Sequence, residues 1–297
     1  MIDFADIDFL IIGATKSATT WLQRCLQADP AIAMPDPELH YFSRAFDRGD
    51  QWYLGQFPAE GRDRVTGEKS NSYLESPSAA LRIHARLPDV KLVAQLRNPI
   101  ERAYSDYCMM YRRGEIGRDV ARYLDPRNES RTRLLSAGLY YQNLKPFYDR
   151  FPMENILVTF YDSIGEEPHR HLGTVRRFLG LPAQLPGQTL QQKHKDKTIP
   201  TLGPRMRRFF RPVKPLVAPL RQTSAFRQLH RTLASEIRYS AMTDDIRRRL
   251  ADYYAEDLDQ LSALTGTDVP SSWLRSFAVD ARYDRTPPDR PSVSPAT

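Results

Sequence analysis

Asp8-Phe-Leu-Ile-Ile-Gly-Ala-Thr-Lys-Ser-Ala-Thr-Thr-Trp-Leu22 is the stretch on which the fold turns. Phe9 to Ile12 is an apolar run of strand length that ends in Gly13. A short loop with one lysine and several hydroxyls follows. A helix then begins that carries Trp21, Leu22 and Leu26 on its apolar side. A strand, a glycine loop and a helix N-terminus in succession aim backbone N–H groups and the positive end of a helix dipole at one point. Such a point attracts an anion, for example a nucleotide phosphate. The loop is not a Walker A sequence, which reads G-x-x-x-x-G-K-[ST]. Lys16 comes three residues after Gly13, Ala18 stands where a glycine is expected, and the hydroxyls of Thr19 and Thr20 lie beyond the lysine. Taken alone, the stretch also fits an ordinary strand-to-helix turn with a surface lysine.

Outward from this unit, strands and helices alternate. The helix from Thr19 to Gln27 is followed by a turn at Asp29-Pro30 and a short strand at Ala31–Met34. Pro35 and Pro37 stiffen the loop that carries Glu38-Leu-His-Tyr-Phe42. A short aromatic segment around Trp52, Tyr53 and Phe57 comes next, then Gly67-Glu-Lys-Ser-Asn-Ser-Tyr-Leu74, then a helix opened by Pro77 that runs to Arg86. Val90 to Leu96 reads as a strand in the centre of a sheet, and Asn98-Pro99 as the N-cap and first residue of a helix reaching about Arg113. Further helices are expected over Tyr140–Phe151, Arg170–Leu179 and Asp244–Leu264, with a strand at Ile156–Phe160. This order specifies an α/β chain with a parallel sheet flanked by helices.

The bulk properties agree. A chain of 297 residues, 41% of them hydrophobic, can bury a full α/β core. The net charge of +7 and pI of about 9.4 favour anionic partners. Cys25 and Cys108 form no C-x-x-C pair and no zinc spacing, so neither a disulfide framework nor a metal is expected. No signal peptide or membrane-spanning run is read, which makes a cytoplasmic location the expectation. Residues 1–280 are expected to form one domain, with a basic, proline-broken excursion over 200–240 as a possible lid. The polar, proline-rich tail 281–297 is expected to be disordered.

The strand Lys91–Leu96 delivers Arg97 at its C-terminal end, where open α/β sheets bind ligands. Ser105 lies on the following helix. A guanidinium fork and a hydroxyl can share one phosphate. With these residues in place, the chain resembles the sulfotransferases that use 3′-phosphoadenosine 5′-phosphosulfate. Gly13-Ala-Thr-Lys-Ser-Ala-Thr-Thr-Trp-Leu22 is similar to their 5′-phosphosulfate loop, and Arg97-Asn-Pro-Ile-Glu-Arg-Ala-Tyr-Ser105 to their 3′-phosphate motif, R-[DN]-P-x-x-R-x-x-S. Pro37-Glu-Leu-His-Tyr-Phe42 and Gly67–Leu74 resemble the E-x-H-[FY]-F and E-K-[ST]-x-x-Y-[FL] segments of the heparan-sulfate-type branch and its bacterial relatives. The likeness runs from about Asp8 to Leu181 and has four motifs in order.

The resemblance implies a three-layer P-loop-type fold and a set of roles. Lys16 would sit by the bridging oxygen between the 5′-phosphate and the sulfuryl group. Ser17, Ala18, Thr19, Thr20 and Trp21 would supply the rest of the phosphate loop, and Arg97 and Ser105 would take the 3′-phosphate. Glu38 would be the general base, oriented or assisted by His40, which points the same way if the chain is extended there. Lys69 would lie near the sulfuryl group or acceptor, while Glu68 makes a local structural pair. Lys193 and Lys195 would belong to the segment that wraps the adenosine. Relatives often carry glycine at the position of Ala18. The product would be 3′,5′-adenosine bisphosphate and no metal would be needed. The acceptor would be a small molecule, a glycan or a carrier-bound group bearing a hydroxyl, less readily an amine. Its cleft would be lined by the variable parts 43–65, 114–137 and 200–240.

Two other functions remain open at this level. A P-loop kinase of a small metabolite would need a complete Walker A loop, which is absent. An anion- or nucleic-acid-binding protein built on residues 200–231 would need basic and aromatic residues interleaved on a known module, and only Phe209-Phe210 approaches this. A nucleic-acid partner is therefore not expected.

Overall fold

The structure, a computed structural model, describes residues 2–58, 63–128, 133–184 and 237–273, and the backbone of 201–202 and 234–235. Five parallel strands form the central sheet: β1 (Phe9–Gly13), β2 (Ile32–Ala33), β3 (Val65–Lys69), β4 (Lys91–Leu96) and β5 (Ile156–Phe160), in the order β2-β3-β1-β4-β5. The helices are α1 (Thr19–Gln27), α2 (Tyr41–Arg44), α3 (Asp50–Leu54), α4 (Ala79–Arg86), α5 (Pro99–Arg112), α6 (Val120–Leu124), α7 (Arg133–Ser136), α8 (Tyr140–Tyr148), α9 (Asp162–Glu166), α10 (Pro168–Phe178) and α11 (Asp244–Thr265). Thr201–Leu202 and Ala234–Ser235 pair separately as an antiparallel ribbon.

The three layers follow from strand alternation. Phe9 and Ile11 of β1, with Val93 of β4, pack against Trp21, Leu22 and Leu26 of α1 and Leu172 and Val175 of α10. Leu10 and Ile12, with Leu92, Ala94 and Leu96, belong to the other, larger cluster, which takes in Ile83 of α4, Ile100 and Tyr107 of α5, Leu144 of α8, and Leu250 and Leu258 of α11. Both faces of the sheet are thus covered, as a parallel sheet requires. Cys25 and Cys108 are buried free thiols on opposite sides of it.

Several expectations needed correction. β3 was not foreseen, because Val65-Thr-Gly-Glu-Lys69 has one large apolar residue and looks like a loop. It is nonetheless buried between β2 and β1. Gly67 makes this possible: a Cβ there would meet Phe9 Cδ1 and the Phe9 carbonyl oxygen, both at 2.4 Å. β4 is an interior strand, paired with β1 and β5, as its continuous apolar run predicts, and it lies next to β1 in the middle of the sheet. β2 shrinks to two residues, and α8 ends at Tyr148, short of Phe151. The start of α5 matches its reading, with the Asn98 side chain accepting from the N–H groups of Ile100 and Glu101. Such a cap contributes about 1 kcal/mol.

The topology places the loops that matter. β1 pairs with β3 on one side and β4 on the other, with Ile11 opposite Lys69 and Gly13 opposite Ala94. The carboxyl ends of the three strands therefore lie side by side. They deliver the Ala14–Ala18 loop, the Ser70–Leu74 segment and Arg97 to one edge of the sheet.

Candidate active site

The loop after β1 is shaped by two residues in the left-handed region, Lys16 (φ 72) and Ala18 (φ 62). Ala18 is the N-cap of α1, and its carbonyl accepts from the N–H groups of Trp21 and Leu22. Within the loop the Ser17 N–H is given to the Ala14 carbonyl at 3.3 Å, and the loop ends at the orphan N–H groups of the first turn of α1. Ala18 explains why a glycine is expected here: the left-handed region costs an alanine about 1–2 kcal/mol.

Beneath the loop the packing is polar and tight. The Ser17 side chain is fully buried, and Gln95 of β4 donates to the Ser17 carbonyl. Gln95 Oε1 in turn meets His171 Nε2 at 2.9 Å, and His171 Nδ1 meets Ser163 Oγ at 2.8 Å. Burial holds the His171 imidazole down at about 4, so it stays neutral as a member of this chain. Trp21 is buried beside His171, with ring centroids 5.9 Å apart. The side chains of Ser17 and Trp21 thus support the loop from within.

Arg97 leaves the end of β4 and donates from Nη1 to the Lys16 carbonyl at 3.3 Å. Its guanidinium lies 4.6 Å over the Tyr161 ring, and the buried Tyr140 hydroxyl donates to its carbonyl at 2.6 Å. Main chain and side chain of Arg97 are therefore both fixed against the loop. Lys16 Nζ rests 3.6 Å from Met109 Sδ on α5. Ser105, half-buried on the same helix, has no hydrogen-bond partner for its hydroxyl among the described residues.

The chemical groups gather where β3 ends. Lys69 is 1% exposed, and its ammonium donates to Glu38 Oε1 at 2.5 Å and to Thr20 Oγ1 at 3.5 Å. Glu38 also accepts from the Asn71 backbone N–H at 3.2 Å, and Asn71 Nδ2 approaches Oε1 at 3.5 Å. Thr19 Oγ1 donates to Asn71 Oδ1 at 2.7 Å. His40 Nε2 stands 3.7 Å from Glu38 Oε2, while Nδ1 meets Ser72 Oγ at 2.7 Å. His40 reaches this position differently from the extended chain anticipated: it has φ 53 and begins α2, with its N–H donated to Ser70 Oγ. Burial lowers the His40 pKa, with Arg44 and Lys69 adding to the shift and Glu38 opposing it, so the ring is neutral at pH 7.

The structure therefore brings Glu38, His40, Lys69, Thr19 and Thr20 into one network, and ties Lys16 to Arg97 through the backbone. Lys193 and Lys195 lie outside the described residues, as does most of 200–240. Lys69 is a buried strand-end lysine, not an exposed loop residue. Glu68 forms the local pair expected of it: it is fully buried and accepts from Tyr73 OH at 2.5 Å and from Ser70 Oγ at 2.8 Å. Burial raises its pKa to about 7, the two hydroxyl donors opposing the shift. Sequence reasoning missed Asn71, the residue that joins the Thr19 hydroxyl to the Glu38 carboxylate. It also missed Gln95 and Ser72. The polar run from Glu68 to Ser72, directly after a glycine, was the available sign that a buried polar strand end lay there.

A model of the sulfotransferase domain matches residues 6–262. The chain belongs to the sulfotransferase domain family. Among its relatives, the mouse (Mus musculus) heparan sulfate glucosamine 3-O-sulfotransferase 6 is 33% identical over 177 residues, which cover 58% of this chain and 52% of that protein. The bifunctional heparan sulfate N-deacetylase/N-sulfotransferase 1 of Caenorhabditis briggsae is 32% identical over 196 residues, 59% of this chain and 23% of that one. The matched part of this sulfotransferase domain thus spans about half, or less, of these relatives. A sulfotransferase from Alicyclobacillus acidocaldarius has the same fold, with a TM-score of 0.66 at 23% identity over 91% of this chain and 99% of that one. The β1 loop, the β3 end and Arg97 all fall inside the matched domain. Among the described residues no helix is long and apolar enough to cross a membrane.

Proposed function

We propose that this sulfotransferase domain moves a sulfuryl group from 3′-phosphoadenosine 5′-phosphosulfate to an acceptor hydroxyl, with Glu38 as the base. The observation that carries the reading is the Glu38–Lys69–Thr20 chain, which runs from a carboxylate to the first turn of α1 at the mouth of an anion-binding loop.

The residues present fit such a donor. The loop backbone and the helix N-terminus suit a 5′-phosphate, with the Thr19 and Thr20 hydroxyls beside them. Arg97, pinned at both ends, keeps part of its fork for a 3′-phosphate, and the Ser105 hydroxyl has no competing partner among the described residues. When bound, the donor supplies an activated sulfur. The acceptor oxygen bonds to it, the bond from sulfur to the 5′-phosphate oxygen breaks with its electron pair kept by the phosphate, and the acceptor proton leaves.

Glu38 is the group to receive that proton. It is 27% exposed and so open to an acceptor. Lys69 gives the step its logic. While Glu38 is anionic, the Lys69 charge is spent on it. Once Glu38 is protonated, Lys69 faces the loop uncompensated, where negative charge has grown on the transferred and leaving oxygens. A cation already in position, and freed of its counter-charge only as the transition state forms, favours that state over the ground state. His40, neutral and held by Ser72, orients the carboxylate from its other oxygen. Lys16, on the loop itself, stabilises the leaving phosphate oxygen. The kinase alternative has no complete Walker A loop to set against this arrangement.

The donor assignment is tested by thermal unfolding with 3′,5′-adenosine bisphosphate, 5′-AMP and ATP with Mg²⁺. The bisphosphate should stabilise the protein most. Arg97→Ala should weaken bisphosphate binding by about 10- to 100-fold, the worth of a charge-assisted hydrogen bond. Equal affinity for 5′-AMP and the bisphosphate would remove the 3′-phosphate role from Arg97.

A further inference from the structure

Asn71 touches both halves of the candidate site. Its backbone N–H donates to Glu38 Oε2 at 3.2 Å and its Nδ2 approaches Glu38 Oε1 at 3.5 Å, so both oxygens of the candidate base face it. Its Oδ1 accepts from Thr19 Oγ1 at 2.7 Å, and Thr19 is the first residue of α1, directly after the loop that carries Lys16. The turn that presents Asn71 is firmly seated. The Ser70 and Leu74 N–H groups donate to the Ile11 and Ile12 carbonyls of β1 at 3.0 and 2.9 Å. Gly13 lets this turn lie against the end of β1, since a Cβ there would stand 2.7 Å from Leu74 Cβ and 3.4 Å from the Asn71 carbonyl oxygen.

The orientation of the Asn71 amide follows from its partners. An ionised Glu38 only accepts hydrogen bonds, so the NH₂ group of Asn71 must face it and the side-chain oxygen must face Thr19. That oxygen also only accepts, and a threonine hydroxyl has one proton to give. The Thr19 proton is therefore spent on Asn71, and a phosphate oxygen, another acceptor, finds no donor there. Thr20 differs. It is half-buried, its Oγ1 takes the Lys69 ammonium at 3.5 Å, and its own proton has no acceptor among the described residues. The first turn of α1 thus divides its two hydroxyls: Thr20 can donate to an anion, while Thr19, 1% exposed, is committed to the side of the base.

We infer that Asn71 is a positioning residue: it fixes the Glu38 carboxylate against the donor loop through Thr19, and the Thr19 hydroxyl serves this clamp and not the phosphate. The inference rests on the sulfotransferase reading above. In-line transfer gives the clamp its purpose. The base acts at the acceptor oxygen on one side of sulfur, while the loop holds the leaving oxygen on the other. Their spacing has to be set before the reaction, because an error of about 1 Å costs about 10²-fold in rate. Lys69 alone does not set it, since an ammonium on a flexible stem is a point charge that fixes no direction.

The test uses the full chain and labelled donor, with water in the place of the acceptor. A water oxygen bonds to sulfur, Glu38 takes one of its protons, and the bond from sulfur to the 5′-phosphate oxygen breaks. Labelled sulfate and 3′,5′-adenosine bisphosphate are released. Release at saturating donor is measured for the variants, and bisphosphate affinity by calorimetry. Asn71→Ala and Thr19→Val should each slow release about 10- to 100-fold and leave bisphosphate affinity within about threefold. The double variant should be no slower than the slower single one, as expected of a unit. Thr19→Ser, which keeps the hydroxyl, should recover most of the rate lost in Thr19→Val. In a Glu38→Gln background, adding Asn71→Ala should cost no more than about twofold, because the group it positions is gone. Thr19→Val is nearly isosteric and serves where Asn71→Ala lowers stability. A loss of bisphosphate affinity of about tenfold or more in Thr19→Val would make Thr19 a phosphate ligand and overturn the inference. An unchanged rate in folded Asn71→Ala, multiplied losses in the double variant, or a full penalty in the Glu38→Gln background would also overturn it, with donor binding intact in each case. A wild type that does not bind the bisphosphate would instead remove the sulfotransferase reading itself, and the inference with it.

Discussion

Replacing Glu38 by glutamine separates the two roles proposed for this carboxylate, base and counter-ion. Glutamine has the same shape but cannot take a proton, so turnover should fall by about 10²–10⁴, the usual worth of a positioned base. That corresponds to roughly 3–5 kcal/mol on the barrier. Stability should also change, because Lys69 is 1% exposed and Glu38 is its anionic partner at 2.5 Å. Removing a partner from a fully buried pair costs about 3–5 kcal/mol. Here Glu38 is 27% exposed and glutamine still offers an oxygen to the ammonium, so about 1–2 kcal/mol is expected. The glutamine NH₂ would then face the Asn71 N–H, which donates to Glu38 Oε2 at 3.2 Å. The fold and bisphosphate binding should survive.

Single-turnover transfer with labelled donor measures the first effect and thermal unfolding the second. His40→Ala should cost less in rate, since the neutral ring orients the carboxylate. A near wild-type rate for Glu38→Gln with a dead His40→Ala would make the histidine the base and refute the assignment. A double-mutant cycle with Lys69→Met then distinguishes a base from a mere counter-ion. If Glu38 only positions Lys69, Glu38→Gln adds nothing in the Lys69→Met background. If it accepts the proton, the penalty persists there, while stability partly recovers because both charges are gone.

Three further expectations follow from the same neighbourhood. Lys16→Ala should lower turnover at saturating donor far more than it weakens bisphosphate binding, and the opposite pattern would make Lys16 a binding residue only. Ala18→Gly should raise the denaturation midpoint by a margin worth about 0.5 kcal/mol, the relief of a left-handed alanine less the added freedom of glycine in the unfolded chain, and an unchanged or lower midpoint would contradict φ 62 at this position. Glu68, raised to about 7, binds its proton more tightly in the folded state than in the unfolded one, so its contribution to stability should fall as pH rises from about 4.5 through 7, by at most about 1.4 kcal/mol per pH unit. Unfolding of wild type and Glu68→Gln at pH 5 and 8 measures this, and an equal pH response in both would exclude Glu68 as the source.

What the sequence revealed and what it hid divide along one physical line. β1, β4, β5, α1, α5, α10 and α11 were legible because each buries apolar residues at a regular period and ends in a recognisable signal, such as Asn98-Pro99 or Gly180. β3 was not, because its buried residues are Thr66, Glu68 and Lys69, and hydrophobic periodicity says nothing of a strand filled with polar groups. Those groups stay buried only because each finds a partner from elsewhere in the chain: Glu68 from Tyr73 and Ser70, Lys69 from Glu38 and Thr20. The individual candidate site residues were readable as motif letters, but their connections were not, since Thr19 and Asn71 are 52 residues apart and His40 and Ser72 are 32 apart. The place where local sequence preference fails is thus the place where the site is built. A strand that accepts a buried lysine and a buried carboxylate next to the central strand makes sense if the lysine is needed at the mouth of the β1 loop. An apolar strand in the same position would satisfy the fold equally well and leave Glu38 without its cation.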